Sequence, residues 1–294
     1  MNIRDFEYLV ALEKHKHFRK AAEACFVSQP TLSGQIKKLE EELGSTLLER
    51  NNRTVLFTHS GLALVDQAKK ILQEVKTFKL MANGQADELS GPMHIGFIPT
   101  VGPYVLPRII PSIQQQYPDL EMHLYEDQTR VLVQKLQQGE LDCLILASVA
   151  ETQPFREIKL FEEKLCLATS KDHPWSQLNS FNVELLNNEE VLTLGEGHCL
   201  RDQALGYCFA AGARENKHFK ATSLETLKNM VQVGMGVTLL PELSVRRQDI
   251  ADSLNIIENI EPQPTRQLVL AYRPGSALKK RFEKLSEAII HLLN

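Results

Sequence analysis

Two cysteines in one short segment are the residues best suited to chemistry. Cys199 follows an apolar run at residues 191–194 and two glycines, and it starts a helix-like pattern that reaches Cys208. A thiol at a helix N-terminus lies beside unpaired backbone N–H groups and the positive end of the helix dipole, which favour the thiolate. We therefore predict a lowered pKa for Cys199, with His198 as a further source of positive charge. Since thiolates attack peroxides, Cys199 is a candidate redox nucleophile.

The spacing of the two thiols limits how they can pair. In one continuous helix, residues at this spacing lie about 13–14 Å apart along the axis and about 180° apart around it. A disulfide needs Cα atoms within about 7 Å of each other. Cys199 and Cys208 can therefore pair only if the segment rearranges, and Gly206 weakens the helix by about 1 kcal/mol. The alternative is that both are small, buried, inert side chains.

Composition narrows the class of protein. The chain has 294 residues, a net charge of −4 and five cysteines. Its length allows two or three domains, and no apolar run approaches the ~18 residues of a membrane span. An odd number of cysteines, with no signal-peptide pattern, does not resemble a secreted disulfide framework. We predict a cytoplasmic protein without membrane association, in which any disulfide is transient. Because net charge does not indicate nucleic acid, DNA binding must be argued from motifs.

The N-terminal segment has the pattern of a helix-turn-helix. Apolar spacing predicts helices over residues 4–15, 18–25 and 29–43. Ser28 is a natural N-cap for the third helix, and Gly44 ends it. Amide and hydroxyl side chains near the start of such a helix reach base edges in the major groove. The predicted DNA-binding residues are Arg19, Ser28, Gln29, Pro30, Thr31, Ser33, Gln35, Lys37, Arg50 and Arg53.

A wing is predicted to follow the third helix. Residues 47–57 read as two short strands around an Asn-Asn turn, with Arg50 and Arg53 exposed. Such a wing touches phosphate or the minor groove. The alternative for the whole segment is a plain helical hairpin with a solvated polar face.

A long helix is predicted next, from residue 61 to residue 82. Its apolar residues recur in steps of four and three, which is a heptad seam: Leu64, Ala68, Ile71, Val75, Phe78 and Ala82. A heptad seam next to a DNA-binding domain favours dimerisation through the helix. A two-fold dimer places its two DNA-binding domains on two half-sites. Burial of the seam against the chain's own effector domain is the alternative.

The pattern then alternates between strand and helix. Strands are predicted at 93–99, 120–126 and 142–149, with helices at 105–117 and 130–138. This order implies a parallel sheet with right-handed crossovers, in which ligands bind at the carboxyl ends of strands.

Thr100 and Thr129 each follow a strand and precede a helix in this pattern. Cys199 occupies the same kind of corner, so we predict that the three converge on one crevice. For each threonine, a routine helix cap is the alternative.

A second α/β unit is predicted from residue 161 to about residue 266. A strand at residues 266–272 leads back to the first unit, and a closing helix covers residues 277–293. Two lobes joined by crossing segments leave a cleft between them.

The first 60 residues resemble the LysR-type transcriptional regulators. The matching motifs are Phe18-x-x-Ala21-Ala22, Ser28-Gln29-Pro30-x-Leu32-Ser33-x-Gln35-Ile36-x-x-Leu39-Glu40, Leu47-Leu48-x-Arg50 and Thr58-x-x-Gly61. The resemblance implies an N-terminal all-α winged helix-turn-helix with a long linker helix. It also implies a C-terminal α/β two-lobed effector domain like periplasmic binding proteins. The expected boundaries are 1–58 for the DNA-binding domain, 59–90 for the linker and 91–294 for the effector domain, with lobe I at 91–161 plus 267–294 and lobe II at 162–266.

The effector half resembles the peroxide-sensing members of that family. The motifs are Gly197-His198-Cys199-Leu200-Arg201-Asp202-Gln203 with Cys208, His218-Phe219, Ala221-Thr222-Ser223-Leu224-Glu225-Thr226-Leu227, and Ile98-Pro99-Thr100-Val101-Gly102-Pro103-Tyr104. By that likeness Cys199 reacts with hydrogen peroxide and Cys208 resolves it as a disulfide. The residues expected to line the peroxide site or tune the thiolate are Thr100, Thr129, His198, Asp202, His218 and Arg266.

The same likeness implies partners. They are double-stranded promoter DNA, hydrogen peroxide, RNA polymerase, further copies of the chain as a dimer of dimers, and a cellular thiol reductant. No cofactor is expected.

A lowered pKa alone explains little of a sensor's speed. A free thiol of pKa ~8.5 is about 3% thiolate at pH 7, so full ionisation raises the rate only about 30-fold. The remainder must come from stabilising the departing hydroxide. Thr129, Thr100 and Arg266 are the candidates for that role.

Three other functions fit parts of the pattern. One is a LysR-type regulator of a small organic acid with inert cysteines. The second is a thiol peroxidase or Cys/His hydrolase that uses Cys199 with His198 or His218. The third is a metal site from Cys199, Cys208 and His218, although their spacing matches no compact zinc motif. The other cysteines, Cys25, Cys143 and Cys166, lie in apolar patterns and are expected in the core.

Overall fold

The computed structural model describes residues 1–49, 55–82, 88–246 and 253–293. The chain divides into two compact units. The first comprises Met1–Ala86 with Gln137–Glu140, and the second comprises Asp87–Leu136 with Leu141–Asn294. In the described ranges, no helix is both long enough and apolar enough to cross a membrane.

The first unit contains a helical core and one short hairpin. Its described elements are α1 (Ile3–His15), α2 (Phe18–Ala24), α3 (Gln29–Leu43), β1 (Leu48–Glu49), β2 (Leu56–Phe57) and α4 (His59–Ala82). The predicted three-helix pattern and the two wing strands are therefore confirmed. The positions of Arg50 and Arg53 lie outside the described residues.

The ends of α3 follow from its capping residues. The hydroxyl of Ser28 accepts a hydrogen bond from the backbone N–H of Thr31, as predicted for an N-cap. At the other end, Gly44 adopts φ +61°, a left-handed conformation that glycine reaches at little cost. The buried face of α3 consists of Leu32, Ile36 and Leu39, which leaves its opposite, polar face toward solvent.

The start of α4 is fixed against the hairpin. Thr58 Oγ1 accepts a hydrogen bond from the backbone N–H of Gly61 at 2.9 Å and donates to the carbonyl of Thr46. A Cβ atom at Gly61 would collide with the carbonyl oxygen of Leu47. The Thr58-x-x-Gly61 motif thus joins the wing to the long helix.

The predicted seam of α4 is only partly covered within one chain. Ala68 is buried, whereas Leu64, Ile71 and Val75 are half-buried. Phe78, near the end of the helix, has 72% of its surface exposed.

The second unit is α/β. Its described helices are α5 (Gly102–Gln116), α6 (Thr129–Gln137), α7 (Cys199–Ala210), α8 (Leu224–Gln232), α9 (Glu242–Val245) and α10 (Lys279–Leu293), with short 3-10 turns at Ala150–Thr152, Pro174–Gln177 and Val183–Leu186. Its described strands are β3 (Gly91–Phe97), β4 (Leu120–Glu126), β5 (Cys143–Ala147), β6 (Arg156–Thr169), β7 (Phe181–Asn182), β8 (Glu190–Leu194), β9 (Arg214–Ala221), β10 (Thr238–Pro241), β11 (Asn255–Ile257), β12 (Ile260–Glu261) and β13 (Thr265–Tyr272).

A mixed sheet runs through this unit in the order β10-β6-β13-β5-β3-β4. As predicted, β3 pairs in parallel with both β4 and β5. Every residue of β5 is buried, as expected for a strand covered on both faces. β13 returns antiparallel to both β5 and β6.

Two lobes form around this sheet. The first contains β3, β4 and β5 with α5 and α6, and α10 packs on α5, β6 and β13. The second builds a separate core around β8, β9 and β10 with α7 and α8. The 14-residue β6 and the returning β13 pass from one lobe to the other. The predicted two-lobed α/β effector architecture is confirmed.

Candidate functional site

Cys199 lies at the N-terminus of α7, directly after the loop that follows β8. It forms part of a small crevice, with about 150 Å³ of empty space, between the lobes. The crevice is lined by Ile98, Pro99, Thr100, Gln128, Thr129, Gly197, His198 and Cys199. The predicted convergence of the two threonines and the cysteine on one crevice is therefore observed.

Burial dominates the electrostatics of Cys199. The side chain is 7% exposed, and this burial raises the pKa of the thiol above its ordinary value. The positive charge of Arg266, the hydroxyl of Thr129 and the backbone N–H groups of Ala147 and Leu200 act in the opposite direction and lower that pKa. The prediction of a net lowered pKa was wrong, because loss of solvation outweighs the helix terminus and its charged neighbour.

The expectation of a positive charge on His198 was also wrong. This side chain is 6% exposed, and burial lowers its pKa. A buried imidazole favours its neutral form. The positive charge that lowers the pKa of Cys199 is instead that of Arg266, which donates a hydrogen bond to Thr100.

Arg266 is held by a network of short hydrogen bonds. Its Nη1 donates to Thr100 Oγ1, and its Nη2 donates to the Thr100 carbonyl, both at 2.9 Å. On the other side, Nε and Nη2 contact Glu163 Oε2 at 2.8 and 2.7 Å. Arg266 and Glu163 are each only 1% exposed in their side chains, so the pair is screened little by water.

The two threonine hydroxyls at the crevice differ in their surroundings. Thr100 Oγ1 accepts from Arg266, which leaves its own O–H free to donate elsewhere. Thr129 Oγ1 is buried and has no hydrogen-bond partner of normal geometry among the described residues, although it lies close enough to Cys199 to lower the pKa of the thiol. A buried hydroxyl without a partner of normal geometry is costly, so the Thr129 hydroxyl is available to a small polar molecule in the crevice.

The structure does not bring Asp202 or His218 to this crevice. Asp202 lies on the first turn of α7 with its side chain 72% exposed, and it pairs with Arg201 at 3.0 Å. His218 is an exposed residue of β9. Both residues were expected at the peroxide site because they belong to the motifs around Cys199. Both side chains instead face solvent.

Two residues of the site escaped the sequence analysis. Gln128 lines the crevice and donates from Nε2 to the carbonyl of Glu196 at 3.3 Å. Its position beside Thr129, just after a strand, was an available signal. Glu163 had no such signal, because its partner Arg266 lies 103 residues away along the chain.

Cys208 lies in the same helix as Cys199, and both thiols are free. Cys208 is fully buried in the core of the second lobe, and burial raises its pKa to about 12. Of the other three, Cys143 and Cys166 are buried core residues as predicted, while Cys25 is half-buried in the first unit. In the parts of the chain that the structure describes, no three His, Cys, Asp or Glu side chains are grouped to hold a metal ion.

The residues of α3 and its N-cap that were predicted to contact DNA are exposed or half-buried. Ser28, Gln29, Pro30, Thr31 and Lys37 are exposed, whereas Ser33 and Gln35 are half-buried. On α2, Arg19 is exposed and pairs with Glu23 at 3.1 Å.

Comparison with known families assigns both units. Residues 3–62 match the bacterial regulatory helix-turn-helix proteins of the lysR family. Residues 86–293 match the LysR substrate binding domain. The chain belongs to the LysR family. It is therefore a LysR-type DNA-binding transcription regulator, a family of regulators rather than of enzymes.

Within the LysR family, the chain is similar to three relatives that are described by their response to peroxide or by the name OxyR. It is 55% identical over 289 residues to the hydrogen peroxide-inducible genes activator of Haemophilus influenzae, covering 98% of this chain and 96% of that protein. It is similar to full-length OxyR from Pseudomonas aeruginosa, in a single-substitution form, with a TM-score of 0.81, 34% identity and coverage of 98% and 94%. It also resembles the oxidized form of OxyR, with a TM-score of 0.65, 51% identity and coverage of 70% and 97%. These relatives place the chain in the OxyR group of LysR regulators.

Proposed function

We propose that this protein senses hydrogen peroxide through Cys199 and answers with a reversible Cys199–Cys208 disulfide that switches it to activate oxidative-stress genes. The observation that carries the proposal is the crevice beside Cys199. It brings a buried thiol together with two threonine hydroxyls, one of them without a partner of normal geometry, and the other, that of Thr100, accepts from the buried guanidinium of Arg266. The oxidized form known for a relative supports a redox cycle of this kind.

The first chemical step consumes one peroxide. The Cys199 thiolate attacks one oxygen of hydrogen peroxide, an S–O bond forms and the O–O bond breaks. The departing hydroxide takes up a proton and leaves as water, so the sulfur becomes a sulfenic acid. The thiol is oxidised by two electrons and the peroxide is reduced.

The crevice favours this step at the leaving group. Burial raises the pKa of the Cys199 thiol, so a lowered pKa does not account for the reaction rate. The rate of the peroxide reaction must then depend on groups that are already positioned to stabilise the departing hydroxide. The Thr100 hydroxyl accepts from Arg266 and can donate its own proton. The Thr129 hydroxyl has no partner of normal geometry among the described residues. A peroxide, which both donates and accepts hydrogen bonds, complements this set.

The second step forms the disulfide. The Cys208 sulfur attacks the Cys199 sulfenic sulfur, the S–O bond breaks and a second water leaves. Because both residues lie in α7, the helix must open before the sulfurs meet. The disulfide therefore reports peroxide as a change of backbone shape, and a cellular thiol reductant resets it.

The remaining parts of the proposal concern DNA and assembly. We assign 1–58 to the DNA-binding domain, 59–90 to the linker, and 91–294 to the effector domain with lobes at 91–161 plus 267–294 and at 162–266. The exposed apolar residues of the α4 seam, such as Phe78, support dimerisation through the linker, and a dimer of dimers on promoter DNA. RNA polymerase is the partner expected at the promoter, and the cytoplasm is the expected location.

Peptide mass spectrometry tests the proposal. The reduced protein is treated with a few equivalents of peroxide, and its peptides are mapped without reduction. We expect a linked peptide joining Cys199 to Cys208, absent from the Cys199→Ser variant. Cysteines that remain unmodified for minutes would exclude peroxide sensing.

A further inference from the structure

The buried carboxylate of Glu163 is a charged group at the site that the proposed peroxide chemistry does not itself use. Its side chain is 1% exposed, and Oε2 accepts two contacts from Arg266. Its other oxygen, Oε1, accepts a hydrogen bond from the backbone N–H of Leu243 at 2.9 Å. Burying a carboxylate in this way is costly unless every oxygen is satisfied, as it is here.

The sheet itself sets this contact. Arg266 on β13 and Glu163 on β6 are directly opposite in the antiparallel register. Cross-strand partners of opposite charge hold each other in a fixed orientation. Nε and Nη2 of the guanidinium contact Glu163, and Nη1 donates to Thr100 Oγ1.

We propose that Glu163 is a positioning residue for the peroxide reaction: it aims Arg266 at Thr100 and offsets part of its charge, and thereby sets the reactivity of Cys199. The inference rests on the proposed function, since the reaction that it tunes is the peroxide attack. Glu163 touches neither the thiol nor the crevice and acts only through Arg266.

The negative charge of Glu163 and its anchoring of Arg266 should have different effects on Cys199. Without the negative charge, the attraction between Arg266 and a Cys199 thiolate is stronger, so the thiol ionises at lower pH. Without the anchor, Arg266 no longer orients the Thr100 hydroxyl, so reaction with peroxide is slower. Loss of Glu163 therefore yields more thiolate but less peroxide reactivity. Because exposure of the buried thiol would also move its ionisation to lower pH, the two effects are compared only in variants whose thermal unfolding matches the wild type.

The experiment uses the full-length reduced protein. Alkylation of Cys199 by iodoacetamide is followed against pH, and oxidation by hydrogen peroxide is followed at fixed pH, both read on the Cys199 peptide by mass spectrometry. In Glu163→Gln we expect the alkylation profile to move to lower pH and the peroxide rate constant to fall about tenfold. Glu162→Gln is the matched control, because Glu162 is the neighbouring residue on β6 with a side chain 54% exposed. It should match the wild type in both measurements.

Two further variants keep the test decisive. Glu163→Asp keeps the charge but shortens the reach, so its alkylation profile stays near that of the wild type while its peroxide rate falls. In an Arg266→Gln background, Glu163→Gln should change neither measurement by more than twofold. An unshifted profile with a peroxide rate within twofold of the wild type in Glu163→Gln overturns the inference. If that variant does not fold, a wild-type rate in Glu163→Asp overturns it.

Failure of the proposed function is a different result. In that case the wild-type protein itself is not oxidised by peroxide. The alkylation profiles then still report whether Glu163 acts on Cys199 through Arg266.

Discussion

Cys199 and Cys208 are the first and tenth residues of one α-helix, and both thiols are buried and unpaired. In a regular helix this spacing puts them about 13–14 Å apart along the axis. The reduced fold therefore keeps the two sulfurs apart, and the cost of opening α7 is a barrier to the disulfide. The other described contacts of α7, such as the pairing of Arg201 with Glu215 at 3.0 Å, add to that barrier.

Substitution of Gly206 should change the cost of opening α7 without changing the peroxide site. Gly206 lies inside α7, and a Cβ there meets no atom within 4 Å. We expect Gly206→Ala to stabilise the reduced protein by about 0.5–1 kcal/mol. Thermal unfolding measures this gain. Because the helix must open, disulfide formation after the sulfenic acid should slow up to about fivefold, as 1 kcal/mol corresponds to about that factor.

The matched control for this change is Gly34→Ala. Gly34 lies in α3, and its added Cβ also meets no atom within 4 Å. It should give a similar gain in thermal stability with unchanged disulfide kinetics. Equal disulfide kinetics in Gly206→Ala and the wild type would contradict the need for helix opening.

Thr129→Val should slow oxidation of Cys199 by peroxide. The change removes the unpartnered hydroxyl at the crevice and, because that hydroxyl lowers the pKa of Cys199, also raises this pKa further. Removing one such donor typically reduces a rate about 10²–10³-fold. Stopped-flow oxidation with rapid acid quench measures the effect. Thr129→Ser, which keeps the hydroxyl, should stay within a few-fold of the wild type, and a normal rate in the valine variant would remove Thr129 from the mechanism.

Arg266→Met should affect both stability and ionisation. It leaves Glu163 buried without its cation, so the free energy of unfolding should fall by about 3–5 kcal/mol. The loss of positive charge should also raise the pKa of Cys199, moving its alkylation profile to higher pH. Urea denaturation and alkylation measure the two effects. Arg214→Met, at an exposed arginine of β9, is the control and should change neither.

Stability should fall in alkaline solution. The pKa of Cys208 is about 12 in the folded protein, against ~8.5 for a free thiol in the unfolded chain. Above about pH 8.5 the unfolded thiol loses its proton while the folded one keeps it, so rising pH favours unfolding, by up to about 1.4 kcal/mol per pH unit for each such group. Below about pH 8.5, the raised pKa of Cys208 contributes its full amount to the free energy of unfolding.

Urea denaturation between pH 8 and pH 10 measures this slope. Cys208→Ala should reduce the slope by the share of one thiol, with the other buried cysteines providing the rest. The idea fails if the variant and the wild type lose stability equally over that range.

The polar face of α3 predicts two kinds of DNA contact. Gln29→Ala should weaken binding to the preferred site by about 1–3 kcal/mol while sparing non-specific DNA, because an amide reads base edges. Lys37→Ala should weaken binding to all sequences and reduce its salt dependence, because a lysine contacts phosphate. Fluorescence anisotropy on selected and scrambled duplexes measures both. Both side chains are exposed, so thermal stability should not change. Identical losses on both duplexes for Gln29→Ala would place it on the backbone instead.

Local signals in the sequence determined much of this protein. The bounds of α3 with its cap at Ser28 and its stop at Gly44 follow from side-chain and backbone preferences that act over a few residues. The alternation of strand and helix that yields the parallel pairing of β3 with β4 and β5 is local in the same sense. The separation of Cys199 from Cys208 needs only helix geometry. These features are determined by interactions between near neighbours in the chain.

Only the tertiary structure decided the electrostatics and the membership of the site. The sign of the pKa shift at Cys199 depends on how much of the protein covers it, and no local pattern reports that burial. His218 and Asp202 belong to the motif region but face solvent, whereas Glu163, without any motif, meets Arg266 across the sheet. Desolvation and ion pairing depend on distances through space, and the register of β6 with β13 sets these distances over a separation of 103 residues.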